Sequence, residues 1–260
     1  MRDEKVLLTI EQPLARVTLN RESKLNAMDN QMTRLLYSKL KEAVEDTLVK
    51  AVIITGNGRA FSVGSDINEY KEMTKVVEYT EHQMIGRTLF DYIEAAQKPI
   101  IAAVNGYCLG GGFELALACD LILATPDAKF GDPSLKLGVV PGGGTTQRLT
   151  RLIGRNKTKE LLFTGEFLSA EEAKGFGLVN AIAPAQTLLD EARRMALRII
   201  KMAPLSLAKA KRLVNEGAEA PLNVALSYEI ESTISLFGTQ DAKEGLSAFV
   251  EKREPNFRGE

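Results

Sequence analysis

The sequence predicts an α/β core followed by an all-helical tail. Three observations carry that prediction. Apolar, β-branched runs at Ala51–Thr55 (AVIIT) and Ile100–Val104 (IIAAV) end at Gly56-Asn57-Gly58 and Asn105-Gly106, as buried strands do. Strand and helix patterns alternate up to residue 183, and only helical patterns follow. No low-complexity linker separates residues 1–183 from 184–260, so the tail is expected to pack on the core or on another subunit.

In chain order, Val6–Ile10 and Ala15–Leu19 alternate around Glu11-Gln12-Pro13 and predict an opening β-hairpin. Asp29 or Asn30 caps a helix reaching Asp46, with Met32, Leu35, Leu36, Leu40 and Val44 on one face. Arg59–Asp66 reads as a loop into a short helical segment. A long amphipathic helix then runs to Ala96, ended by Pro99. After the stretch Pro99–Leu121 come a strand at Asp120–Ala124, an extended Lys129-Phe130-Gly131 and a helical turn from Ser134. The glycine cluster Pro141–Gly144 opens a helix over Thr145–Ile153. Helical patterns at Arg155–Phe163 and Ser169–Lys174 precede a last strand, Leu178–Ile182. The tail reads as helices over 185–202, 204–217, 221–237 and 241–251, with Pro204 and Pro221 at first-turn positions.

Composition narrows the function classes. With 33 basic and 34 acidic residues, the chain has no cationic excess for a nucleic-acid partner. Cys108 and Cys119 are not spaced as a disulfide framework and are expected to be reduced thiols. No apolar leader follows the first charges, and no segment reaches the ~18 apolar residues of a membrane span, so no membrane and a cytoplasmic setting are expected. Any Ser-His or Cys-His nucleophile would need the single histidine, His82, which lies in a charged helical stretch and is expected on a solvated face. No Cys/His spacing marks a metal site.

The chemistry gathers in Pro99–Leu121. A buried strand leads to Gly110-Gly111-Gly112 and then to a helix with Glu114 in its first turn. Glycines at a helix start expose unpartnered N–H groups that stabilise a developing negative charge, and Glu114 places a proton carrier beside them. The same residues also fit a plain packing role, with Glu114 only favouring the helix dipole. Phe61–Asp66 offers a second strand-end loop, so two amides from separate loops can converge on one carbonyl oxygen. GxxxxGK[ST] is absent and GxGxxG does not follow the first strand, so neither loop fits a phosphate motif. Asp66 fits a helix cap, Pro141–Gly144 fits pocket-floor geometry, and Gln147 and Arg148 fit buried polar anchors. Met28, Met73 and Met84 fit core or pocket lining.

FSVGSDI, IIAAVNGYCLGGGFELALACDL, FGDPSLKLGVVPGGGTTQRL and EGLSAFVEKREPNF occur in the order and at the separations of the crotonase (enoyl-CoA hydratase/isomerase) superfamily, and the chain resembles that family over almost its whole length. The resemblance implies a spiral of ββα repeats with a helical C-terminal tail that closes a neighbouring site, in a homotrimer or a dimer of trimers. It implies acyl-CoA thioester substrates, with coenzyme A part of the substrate and no metal or redox cofactor. Carried over by position, the oxyanion hole is the N–H groups of Ser65 and Gly111, and Glu114 is the first of two hydratase glutamates. The coenzyme A strand runs over Lys24, Leu25 and the segment Ser62, Gly64, Asp66, Ile67 and Asn68, where a lysine is usual at Asn68. Phe249 and Lys252 match an adenine-side lid.

Ser134 stands where the resemblance places the second catalytic glutamate. Hydrating an α,β double bond needs one group to take a proton from water and another to deliver one to the α-carbon, and a serine hydroxyl is a poor unaided base. Asp132, two residues away, substitutes only if the loop turns it inward. The expected reaction is reversible hydration of a 2-enoyl-CoA. Double-bond isomerisation and C–C hydrolysis of a cyclic keto-acyl-CoA are the alternatives, and Ser134 as a mere helix cap is a further one. A non-catalytic acyl-CoA- or RNA-binding role also fits the family, although the helix after Gln31 mixes Arg34, Lys39 and Lys41 with Glu42, Glu45 and Asp46.

Overall fold

The computed structural model describes residues 4–260. β1 (Val6–Glu11) and β2 (Leu14–Leu19) form the expected antiparallel hairpin. α1 (Asn30–Glu45) starts where Asp29 accepts a hydrogen bond from the Met32 N–H (2.8 Å). Its apolar face buries Met32, Leu36, Leu40 and Ala43, with Leu35 and Val44 half-buried at the margin. β3 (Ala51–Gly56) then runs parallel to β2.

From here one pattern recurs. β3 lies in the main sheet, β4 (Ala60–Ser62) crosses to a second sheet, and α2 (Ile67–Glu72) and α3 (Val76–Ala95) return the chain. β5 (Ile100–Val104) and β6 (Tyr107–Leu109) repeat this, returned by α4 (Gly111–Ala118). β7 (Leu121–Ala124) and β8 (Lys129–Gly131) repeat it again. Their return path is a 3₁₀ turn at Ser134–Leu137, a π turn at Thr145–Leu149, α5 (Thr150–Ile153) and α6 (Arg155–Thr164). β9 (Leu168–Ser169), α7 (Ala170–Gly175) and β10 (Ala181–Ile182) finish the core. The main sheet has the order β1-β2-β3-β5-β7-β10 and the second β4-β6-β8-β9, which is a spiral of ββα units.

Three short strands are not legible as strands in the sequence, because two or three residues carry no periodicity: β4 lies in a segment that reads as loop, β6 between the Asn105-Gly106 turn and the glycines, and β9 at the start of a segment that reads as helix. The last strand is shorter than expected. Leu178 and Val179 turn back after Gly177, both donating to the Ala173 carbonyl (2.9 and 3.3 Å), which leaves Ala181–Ile182 to pair with β7.

The central strands are continuously apolar because both faces of the main sheet are covered. Val52, Ile54, Ile100, Ala102, Val104 and Ile122 face the core under α1, α3 and α4. Ala51, Ile53, Ile101, Ala103 and Leu123 face the other way, onto Leu188, Ala192 and Ala196 of α8 (Leu188–Ile199). Burying each large aliphatic chain contributes about 1.5–3 kcal/mol. α9 (Pro204–Gly217) has Pro204 in its first turn as expected, whereas Pro221 is the N-cap of α10 (Leu222–Phe237), one position earlier than the sequence reading. α9 and α10 bury no side chain, and α10 and α11 (Gln240–Glu251) leave Leu222, Ile230, Ile234, Phe237, Phe249 and Val250 exposed.

Candidate active site

Two loops touch at the head of α4. Met28 N–H donates to Gly64 O (2.7 Å) and Asp66 N–H to Met28 O (3.0 Å), a parallel bridge that leaves the intervening Ser65 N–H out of the ladder. Gly110 N–H donates to Gly131 O (2.9 Å), and Gly111 is the first helical residue, with no carbonyl one turn back to receive its N–H. Neither the Ser65 nor the Gly111 N–H donates to any described residue. Gly64 has φ +95°, and a Cβ there would lie 2.8 Å from Gly111 N, so only glycine permits this approach. The position of a Cβ on Gly111 is 3.6 Å from Ser65 N, which brings the two amides to one place.

Glu114 lies one turn into α4 and is 6% exposed. Its Oε1 accepts from Gly143 N–H (2.7 Å) and Thr145 N–H (3.2 Å). Within the second glycine cluster, Gly143 gives its amide to this carboxylate. Arg148 fixes that loop: Nε and Nη2 grip Glu94 (2.6 and 2.7 Å), and Nη1 donates to Gly143 O (2.6 Å). Gln147, read alongside Arg148 as a buried anchor, is exposed instead. Burial, and next the negative charge of Asp132, push Glu114 up to about 7.

Asp132 does turn inward and is 3% exposed. Its Oδ1 accepts from Ser134 N–H (3.1 Å) and Ser134 Oγ (2.5 Å), and its Oδ2 from Thr145 Oγ1 (2.7 Å). Ser134 starts its 3₁₀ turn with the hydroxyl proton committed to Asp132, leaving its lone pairs to accept. Glu114, Thr145, Asp132 and Ser134 thus form one hydrogen-bonded network.

His82 is not on a solvated face. It is 8% exposed and shares a buried stripe of α3 with Leu89, Phe90 and Ile93, at spacings of seven, eight and eleven residues. The charged residues beside it in sequence, such as Glu81, point elsewhere and mask that stripe. Its Nε2 lies 3.2 Å from Ser65 Oγ.

Depressions of about 660 and 480 Å³ lie on the surface. The larger is lined by Glu22, Ser23, Lys24, Leu25 and Arg59, and Arg59 is a cation the sequence reading passed over as loop. Leu25 (φ 51°) and the buried Asn26 (φ 56°) hold left-handed backbone there, pinned by Asn26 Nδ2 donating to Ala60 O (2.8 Å). The smaller is lined by Tyr79, Leu135, Gly138, Val139 and Val140, an apolar wall beside the Ser134 turn. Of the segment 62–68, Ser62 is wholly buried, its Oγ donating to Asn26 O (2.8 Å), so its side chain supports the loop. The Asp66 carboxylate caps α2 through Asn68 N–H (3.0 Å) and pairs with Arg21 (2.7 Å), while Ile67 and Asn68 are exposed. Met28 is buried against Gly111, but Met84 is 57% exposed and lines neither core nor pocket. Phe249 is 85% exposed, and Lys252 closes α11 in left-handed backbone.

A family model described as enoyl-CoA hydratase/isomerase matches residues 9–260. The chain is 39% identical to the short-chain-enoyl-CoA hydratase of Clostridium acetobutylicum over 95% of both chains. It is 40% identical to the crotonyl-CoA hydratase of Syntrophomonas wolfei over 98% of both. The crystal structure of an enoyl-CoA hydratase from Bacillus anthracis superposes with a TM-score of 0.94 at 35% identity, covering 99% of this chain and 100% of that one. On the matched spiral, the loop order and the near-complete coverage, this chain belongs to the enoyl-CoA hydratase/isomerase family.

Proposed function

We propose that the protein catalyses the reversible hydration of a 2-enoyl-CoA. The observation that carries this reading is Glu114, a buried carboxylate held near pH 7 on the helix whose first amide is Gly111. The thioester oxygen accepts from Ser65 N–H and Gly111 N–H. As water adds to the β-carbon, negative charge moves onto that oxygen, and each such donor is worth about 3 kcal/mol in a dry site. Ionised Glu114 takes a proton from water and returns it to the α-carbon. Ser134 Oγ, its own proton on Asp132, accepts from the same water and orients it, while Asp132 supplies the negative charge that a second carboxylate would bring.

The coenzyme A part runs over Lys24, Leu25 and Arg59, and the acyl chain lies along Tyr79, Val139 and Val140. Coenzyme A enters as part of the substrate, and these proton transfers need neither metal nor redox cofactor. The uncovered apolar side chains of α10 and α11 support a homotrimer or a dimer of trimers, in which Phe249 and Lys252 close a neighbouring subunit's site. No helix among the described residues is long and apolar enough to cross a membrane, and the free thiols Cys108 and Cys119 suit a cytoplasmic setting.

One observation favours isomerisation as a second reading. With Ser134 in place of a second glutamate, Glu114 is the carboxylate best placed to move a proton between the α- and γ-carbons. Turnover of straight-chain, branched and cyclic enoyl-CoAs in heavy-oxygen water separates the two. Hydration gives a heavier product carrying the label, whereas an unlabelled product of unchanged mass with a moved double bond replaces hydration by isomerisation.

A further inference from the structure

The chain's single histidine meets the hydroxyl of the residue whose amide forms half of the hole. Ser65 Oγ lies 3.2 Å from His82 Nε2, and His82 Nδ1 lies 3.6 Å from Glu69 Oε2. Tyr70 Oη donates to Ser65 Oγ (3.1 Å), and Gln83 Nε2 reaches Tyr70 Oη (3.5 Å). Tyr70 donates to Ser65, and in the tautomer with the imidazole proton on Nδ1, facing Glu69, Nε2 accepts from Ser65 Oγ. Among the described residues Nδ1 has no hydrogen-bond partner, although it is buried. Glu69 is itself held by the Asn30 N–H (3.0 Å). Burial lowers the His82 pKa and keeps the ring neutral, the state a general base needs. The cluster borders the active site: burial first, and less so the charges of Tyr79 and Glu114, push the Tyr70 phenol up, and a Cβ on Gly142 would meet Gln83 Oε1. Hydration uses the amide of Ser65 and none of these side chains.

We propose that the same hole supports a second activity, hydrolysis of acyl-CoA thioesters, with Ser65 Oγ as nucleophile, His82 as its base and Glu69 as the positioning residue for His82. The proposal rests on the reading of the Ser65 and Gly111 amides as the thioester-oxygen site. A nucleophilic serine whose own N–H contributes to the oxyanion hole is an arrangement known from serine hydrolases. Ser65 Oγ bonds to the carbonyl carbon while His82 Nε2 takes its proton, and the oxygen's charge rests on the two amides. The C–S bond breaks, and coenzyme A leaves as the thiol with the proton from His82. Water then attacks the acyl-serine ester, His82 takes a proton from it, the C–Oγ bond breaks, and Ser65 regains its proton. The products are a free carboxylic acid and coenzyme A. Donation from Tyr70 lowers the nucleophilicity of Oγ, and the 3.6 Å gap to Glu69 is long, so this reaction is slower than hydration. Saturated acyl-CoAs, which offer no double bond to water, are where it shows.

The test incubates the folded enzyme with butyryl-CoA, follows free coenzyme A with a thiol reagent, and digests acid-quenched samples for mass spectrometry. The expected result is coenzyme A release with a butyryl group on the Ser65 peptide. Release falls about 100-fold in His82→Gln. Glu69→Gln lowers kcat for release without raising KM, and Glu114→Gln keeps release while losing crotonyl-CoA hydration. An enzyme that hydrates crotonyl-CoA but neither releases coenzyme A above the His82→Gln background nor carries an adduct overturns the proposal, leaving the cluster as a clamp on the Ser65 amide. An enzyme that neither hydrates crotonyl-CoA nor binds butyryl-CoA overturns the reading of the hole, and this proposal with it.

Discussion

Glu114 titrates where an acid/base catalyst is useful because two effects act in one direction. Burial comes first and the Asp132 charge second, and both make ionisation harder than for a free carboxylate. Asp132→Asn removes the second effect, so the Glu114 pKa falls and the acid limb of kcat/KM for hydration moves to lower pH. A pH–rate profile of that variant checks the sign. The shift also has a cost in stability. Since the folded-state pKa lies above the unfolded value, the folded state binds the extra proton between about pH 4.5 and 7, and stability drops as pH rises through that window. Glu114→Gln is therefore expected to raise stability at pH 8, by on the order of 3 kcal/mol, and to leave it nearly unchanged at pH 4, as read by denaturant melts. Glu114 was legible in the sequence because it follows a glycine run at a helix start. Asp132 and His82 were not. The direction of Asp132 is set by the Ser134 turn that folds onto it, and the burial of His82 by which stripe of α3 meets the core.

Elements carry these residues only if their loops fit tightly. Gly143 is the clearest case, because a Cβ there would lie 2.4 Å from both Glu114 Oε2 and the Phe90 ring. Gly143→Ala is expected to displace the carboxylate and lower hydration about 100-fold, the loss typical of a misplaced catalytic group, while circular dichroism stays native. The long central strands could be read directly because helices cover both faces of β3 and β5, which makes their sequences uniformly apolar. β4 and β6 could not, being three residues each, yet they carry the chain into the loops that hold Ser65 and Gly111. The division of labour between the two sheets became visible only with their pairing.

Across the whole molecule, the spiral core is closed on itself while the tail is not. α8 seals one face of the main sheet, and Lys211 of α9 reaches Asp120 (2.9 Å), but α10 turns Leu222, Ile230, Ile234 and Phe237 outward. Apolar side chains so concentrated on one helix mark a surface for association. Ile230→Asp with Ile234→Asp is expected to dissociate the proposed trimer or dimer of trimers to monomer by light scattering, and an unchanged mass would refute the use of this face. The sequence alone placed the tail on the core or on another subunit; α8 packs on the core, while α10 leaves its apolar side chains exposed.

Hydration turns on one carboxylate beside two free amides. Glu114→Gln should bind a short acyl-CoA as tightly as the unmodified enzyme by calorimetry, while crotonyl-CoA hydration falls by at least about 100-fold. Hydration at the unmodified rate in a variant that still binds the ester would contradict it.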